Sequence, residues 1–175
     1  MAKSKAKLGA KSKFSKETYM YWYESMFLIR KFEEKCGQLY GMQKIKGFCH
    51  LYIGQEALLC ALKTGLKKGD NVVSGYRSHM QPVVMGSDPK RVMAELYGKS
   101  TGLSKGKGGS MHMFSKEHKF FGGHGIVGGQ IPLGAGLAWA EKYLKTTLKL
   151  LKNLTFEKLS NQRKENVNAY DNVNR

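Results

Sequence analysis

Residues 122–143 read GGHGIVGGQIPLGAGLAWAEKY, and the next eight read LKTTLKLL. That change of character governs how the chain is understood. The first stretch is glycine, alanine and small apolar residues for most of its length. The second is a lysine–leucine pattern. A helix is expected to start near Pro132 and to carry Gly134, Ala135, Gly136 and Ala138. Glycine inside a helix costs about 1 kcal/mol relative to alanine, so several together point to a face that another backbone or a ligand approaches closely. The same composition extends upstream, where residues 101–136 hold 11 of the 21 glycines.

Moving toward the amino terminus, SDPKRVMAELYGK predicts a helix with Asp88 as N-cap, Pro89 at its first position and Gly98 closing it. DNVVSGY, residues 70–76, predicts a short strand with Val72 and Val73 inside. A helix is expected over about 54–66, after an irregular turn at Gly47–His50. Another is expected over 15–40, capped by Ser15, with Glu17 at the positive end of its dipole. Tyr19, Trp22, Tyr23, Met26 and Ile29 recur at helical spacing and predict its buried face. Toward the carboxyl terminus, Leu144, Leu148, Leu151, Leu154 and Leu159 can be placed loosely on a helix. NQRKENVNAYDNVNR has almost no apolar content and reads as disordered.

A chain of 175 residues with 41% hydrophobic content suits one domain with a core. The net charge of +17 raises the question of an anionic partner. Much of that charge crowds the start, at Lys3, Lys5, Lys7, Lys11 and Lys13 in what reads as a solvated arm over 1–15 and at Lys16 just after it, with no acid among them. The arm lacks the apolar run of a secretory signal, and no run long enough to span a membrane follows it. Screened lysines would bind nucleic acid without sequence preference; no aromatic–basic recognition motif accompanies them, so neither nucleic acid nor membrane is an expected partner. Cys36, Cys49 and Cys60 are odd in number and without CxxC spacing, which argues for reduced thiols over disulfides or a zinc site.

All five histidines fall between positions 50 and 124. His50 precedes a helix, His79 follows the predicted strand, His112 and His124 flank glycines, and His118 lies among charges. YRSH places Tyr76 and Arg77 just beyond the strand, where ligands bind in open α/β sheets. A guanidinium can pair with two phosphate oxygens at once, and a tyrosine hydroxyl can donate to the same group. An exposed loop arginine beside a packed tyrosine accounts for the spacing equally well. GLSKGKGGSMHMF has glycines that could present amides to an anion, but it is not GxxxxGK[ST]. GGHGIVGGQ is read against a nicotinamide site, because no predicted strand leads into it and no acid follows about 20 residues on.

Taken in order, FEEKCGQLYGM, GFCHLYIGQEA, YRSH, AELYGK, GKGGSMHMF and GGHGIVGGQIPLGAGLAWAEKY closely resemble the α subunits of the thiamine-diphosphate-dependent 2-oxoacid dehydrogenases. The resemblance covers about residues 17–143. It leans toward the pyruvate dehydrogenase branch through GFCHLYIGQEA and the tyrosine of YRSH, with the acetoin and branched-chain 2-oxoacid branches as alternatives. It implies an α/β fold of the thiamine-diphosphate-binding type, a parallel sheet flanked by helices, occupying 16–143. The implied cofactor is thiamine diphosphate with Mg²⁺, held between an α and a β chain. The implied reaction decarboxylates pyruvate and passes the two-carbon fragment to a lipoyl group on an acetyltransferase component. By matching motif, His50 would stand near substrate and cofactor as the catalytic residue. Tyr76 and Arg77 would hold the diphosphate, Gly125 and Val127 would offer backbone contacts to the thiamine moiety, and Ser115 would be a further cofactor contact.

The resemblance also implies a buried strand, a Gly-Asp-Gly motif and a later asparagine after AEKY, the aspartate and asparagine holding Mg²⁺. Mg²⁺ demands near-octahedral oxygen ligands. The sequence has no Gly-Asp-Gly; its aspartates are Asp70, Asp88 and Asp171, and Asp171 lies in the polar tail. No metal ligand is therefore assigned. The expectation is a truncated, frameshifted or split α subunit, its sheet incomplete, with residues 144–175 outside the family pattern. It would be inactive alone, either an incomplete enzyme subunit or a remnant that still binds a β subunit. A bacterial cytoplasm is the expected compartment, the mitochondrial matrix the alternative.

Overall fold

The computed structural model describes residues 14–144. Seven elements follow in order: α1 (Lys16–Gly41), α2 (Glu56–Gly65), β1 (Val72–Gly75), α3 (Gln81–Met85), α4 (Pro89–Leu96), β2 (Phe120–His124) and α5 (Gln130–Tyr143). Helices with a small parallel sheet are what an incomplete α/β thiamine-diphosphate-type fold provides. The expected helix over 144–159, the polar tail with Asp171 and most of the basic arm lie outside the described residues.

The local signals act as physical chemistry requires. The Ser15 hydroxyl accepts the Thr18 N–H at 3.3 Å and starts α1. The Asp88 carboxylate accepts the Lys90 N–H at 2.8 Å and starts α4, with Pro89 where a missing N–H costs nothing.

The buried stripe of α1 is the expected one at Trp22, Met26 and Ile29 and continues to Glu33 and Cys36, but Tyr19 and Tyr23 fall outside it. Ile29, Glu33 and Cys36 are buried, and Trp22 and Met26 pack partly, whereas Tyr19 and Tyr23 are 46% and 63% exposed. Apolar residues occur all round this helix, so periodicity alone does not fix the edges of the buried face. The choice is made by α2 and the rest of the core: the Trp22 indole N–H donates to Thr64 Oγ1 at 2.7 Å, and Ile29 joins Tyr52, Leu59, Cys60 and Met80 in one cluster. Farther along the helix, Cys36 joins a second cluster with Ile45, Val72, Val92, Leu96, Met113 and Phe120.

β1 and β2 pair in parallel, Val72 beside Phe120 and Gly75 beside His124. β2 was not expected from FFGGH, because glycine is a poor strand former. Its existence depends on the pairing. β2 uses one more residue than β1 between the Val72 and Ser74 registers, and Gly122 takes up the irregularity at φ +100°. Next to it, a side chain at Gly123 would run into Ser78 Oγ and the Met111 carbonyl. Just before β2, Ser115 and Phe120 exchange two backbone hydrogen bonds of 2.9 Å, closing a tight loop. The short helix α3 was also unexpected; Pro82 falls in its first turn, where proline is tolerated.

α5 begins at Gln130, slightly before Pro132, and has no buried residue. It rests on β1, where a Cβ at Gly134 would come within 3.6 Å of Val73 Cγ1; a Cβ at Gly136 would meet nothing. Within the described residues, then, the close approach that its glycines suggested is made on one side.

Candidate functional site

Both strands end at the same edge of the sheet, and what leaves that edge is chemically distinctive. β1 runs into Tyr76 and Arg77; β2, in register through Gly75 and His124, runs into Gly125, Ile126 and Val127 and then into α5. The carboxyl edge of a parallel sheet is where ligands bind in open α/β folds. A strand does lead into GHGIVG and a helix does follow, which removes one of the two grounds for reading that segment against a nucleotide. The absence of a suitably spaced acid remains the other.

The His50 and Tyr76 rings meet at 4.6 Å between centroids, tilted by 58°. The Arg77 guanidinium lies 5.6 Å from the Tyr76 ring centre, a cation–π distance, and donates through Nη1 to the Leu51 carbonyl at 2.6 Å. Arg77 is exposed and Tyr76 half-buried. Among the described residues no second group takes the remaining Arg77 donors. Tyr76 and Arg77 line an open cleft with Tyr52, Gln55 and Gln81. Val127 is 84% exposed, and a Cβ on Gly125 would press on the His112 ring at 3.3 Å. The structure thus brings His50, Tyr76 and Arg77 into contact and sends Gly125 and Val127 out from the neighbouring strand end.

Ser115 is not brought to that edge. It pairs with Phe120 at the amino end of β2, is buried, and accepts a hydrogen bond from the Ser87 hydroxyl at 3.1 Å. Its oxygen has no open approach from the strand ends that carry Arg77 and Val127.

The glycine–lysine loop is already occupied by an anion of its own. Glu95, fully buried on α4, accepts N–H bonds from Ser104 (2.7 Å) and Gly106 (2.8 Å) on one oxygen and from Gly108 (2.7 Å) and Gly109 (3.1 Å) on the other. Those amides are the ones a phosphate would need. The loop is therefore a fixed structural turn, and it delivers Ser110 to the underside of His50.

A second buried carboxylate lies below the site. Glu33 meets His79 Nδ1 at 3.0 Å, and His79 Nε2 meets Ser110 Oγ at 2.6 Å. Cys36 joins Glu33 and His79 with ligand atoms within 4.8 Å of one another. Its thiol is pushed up by burial and then by the neighbouring carboxylate, and both His79 nitrogens are in use, so this group reads as hydrogen-bonded core and not as a metal centre. Cys49 and Cys60 are free as well, their thiols also pushed up by burial. Glu33, Ser110 and Glu95 were missed from sequence. The available signal for Glu33 was its place on the continuation of the stripe Trp22–Met26–Ile29, one turn beyond Ile29.

Residues 24–152 match the family described as dehydrogenase E1 component. The chain belongs to the dehydrogenase E1 component family. The match runs past Tyr143, the last residue of the expected domain. Among curated relatives, the pyruvate dehydrogenase E1 component subunit alpha of Rickettsia felis is 59% identical over 133 residues, covering 76% of this chain and 41% of the relative. The protein of that name from Zymomonas mobilis is 61% identical over 129 residues, covering 73% and 36%. The mitochondrial one from Dictyostelium discoideum is 48% identical over 132 residues, covering 75% and 34%. This E1-family chain therefore spans about two fifths or less of the length of these relatives.

Proposed function

We propose that this chain acts as an α subunit of pyruvate dehydrogenase and contributes the wall that grips the diphosphate end of thiamine diphosphate, for the oxidative decarboxylation of pyruvate with acetyl transfer to a lipoyl group. The observation that carries the proposal is the convergence of His50, Tyr76 and Arg77 at one sheet edge, with spare guanidinium donors facing an open cleft. Arg77 binds two diphosphate oxygens through its free fork, and its bond to the Leu51 carbonyl keeps the fork in place. Tyr76 orients the same group through its hydroxyl and fixes His50 through ring contact. Gly125 and Val127 offer main-chain groups to the thiamine moiety from the neighbouring strand end. His50 holds or moves a proton at an imidazole nitrogen beside the substrate. The bound cofactor supplies the carbanion-stabilising chemistry.

The partners in this reading are a β subunit, a lipoyl-bearing acetyltransferase and pyruvate. The bacterial sources of the Rickettsia and Zymomonas relatives support a bacterial cytoplasm. No described helix is long and apolar enough to cross a membrane.

The cleft beside Arg77 has no carboxylate in its lining, so the described residues there do not fit Mg²⁺. Asp70 accepts the Lys67 N–H at 2.9 Å, Asp88 caps α4, and Glu33, Glu56 and Glu95 are engaged internally. That observation favours a second reading, a chain that binds a β subunit without turnover of its own. Mixing the chain with a pyruvate dehydrogenase β subunit, Mg²⁺ and thiamine diphosphate, and following pyruvate-dependent reduction of an artificial electron acceptor, separates the two. Turnover that Arg77→Ala abolishes supports the enzyme subunit. Co-purification without turnover supports the second reading, and neither association nor turnover sinks both.

A further inference from the structure

Directly beneath the His50–Tyr76 contact lies an unbroken line of short polar contacts that crosses the core. Glu33 on α1, His79 after β1 and Ser110 at the end of the glycine loop are 0%, 0% and 5% exposed. His79 Nδ1 lies 3.1 and 3.0 Å from the two Glu33 oxygens, and Nε2 lies 2.6 Å from Ser110 Oγ. Ser110 Oγ in turn accepts the His50 backbone N–H at 3.0 Å. One arrangement of protons satisfies every group: Nδ1–H donates to the carboxylate, the Ser110 hydroxyl donates to Nε2, and the His50 N–H donates to the hydroxyl oxygen. Each bond polarises the next in the same direction.

The order carboxylate, imidazole, hydroxyl invites comparison with a nucleophilic triad. Burial excludes that role, because no substrate can reach a serine enclosed on this scale, and its oxygen is already bonded on both sides. What remains is an anchoring function. His50 sits in an irregular segment with no helix or strand to hold it. Its backbone is tied at one point to a side chain that is itself fixed by buried His79, which buried Glu33 holds in turn.

We propose that Glu33, His79 and Ser110 are positioning residues, a relay that sets the backbone of His50 and so the placement of its ring against Tyr76. The functional importance of the relay rests on the reading of His50 given above; its existence does not. A residue held within about 0.5 Å of working geometry needs supporting hydrogen bonds beneath it, and these three supply them. The loop that brings Ser110 into place is secured independently by Glu95.

The test is hydrogen exchange by NMR on the whole 175-residue chain, with no cofactor or partner added, so the outcome does not depend on whether the chain binds thiamine diphosphate. His79→Asn keeps a donor where Nδ1 stood, so Glu33 stays paired, but withdraws the atom that reaches Ser110. Ser110→Ala removes the acceptor of the His50 N–H directly. In both variants protection of the His50 amide falls about tenfold, the value of one hydrogen bond. The Val72 amide, bonded to the Lys119 carbonyl at 2.9 Å in the core, keeps its wild-type protection. If either variant leaves the His50 amide unchanged, the relay is refuted. If either lowers Val72 as much as His50, the three residues serve only the core and the proposal fails equally.

Discussion

The four amides that donate to Glu95 converge on one fully buried carboxylate, and charge-assisted hydrogen bonds of this kind are strong. Replacing it by Glu95→Gln turns one acceptor oxygen into a donor facing N–H groups. A buried amide without a partner costs about 1–3 kcal/mol, so urea unfolding is expected to show a loss of about 3 kcal/mol. A loss below 1 kcal/mol would mean that the loop finds other partners. Glu56 makes the complementary case near the surface. Its carboxyl accepts Arg30 Nε at 2.6 Å and the Gly54 N–H at 3.1 Å, and the Arg30 bond is the main reason its pKa is depressed to about 2. A carboxylate depressed in the folded state stabilises fully above its unfolded value of 4.5 and loses that contribution as pH falls toward about 2. Melting temperature measured between those limits should fall less steeply for Glu56→Gln than for the natural chain. Parallel profiles would show that the pair contributes nothing.

At the scale of elements, β2 is where local preference yields to tertiary fit. FFGGH has two residues that favour strands and two glycines that do not, and the glycines are required by what surrounds them. Gly123 lies against Ser78 and the Met111 carbonyl, so Gly123→Ala forces the strand away from both. Overpacking of this kind costs about 1–3 kcal/mol. The expected result is a chain destabilised by about 2 kcal/mol in which Val72 and Phe120 amides exchange faster together, since the strands separate as a pair. α1 shows the same competition from the opposite side. Its capping was legible at Ser15 and its length was nearly right. Its buried face was legible at Trp22, Met26 and Ile29 but not at its edges, because Tyr19 and Tyr23 also satisfy helical spacing and yet stay exposed. Tyr76 and Arg77 could be placed at the sheet edge from the sequence because they follow a recognisable strand, whereas His50 was reached only through the resemblance carried by GFCHL. The support beneath them was not legible, because no local pattern pairs Glu33 with His79 or His79 with Ser110.

For the molecule as a whole, the described residues leave considerable apolar surface uncovered. Ile131, Leu133, Trp139 and Tyr143 on α5 are 46–77% exposed, and Tyr23 and Phe27 on α1 stack in the open at 6.4 Å. Patches of that kind mark interaction surfaces or aggregation sites. The chain made alone is expected to bind a hydrophobic dye strongly through these patches, with dye binding falling when a pyruvate dehydrogenase β subunit is added. Little dye bound by the chain alone would count against this. Read by itself, the sequence determined where helices begin, that Val72 and Val73 form a strand, and which family the order of motifs belongs to, because caps, turns and motifs act through neighbouring residues. Only the tertiary structure decided that Tyr19 and Tyr23 stay outside the buried face of α1, that FFGGH is a strand, that the glycine loop wraps an internal carboxylate, and that Ser115 lies away from the strand ends. Those outcomes depend on groups far apart in the chain competing for the same space and the same hydrogen bonds.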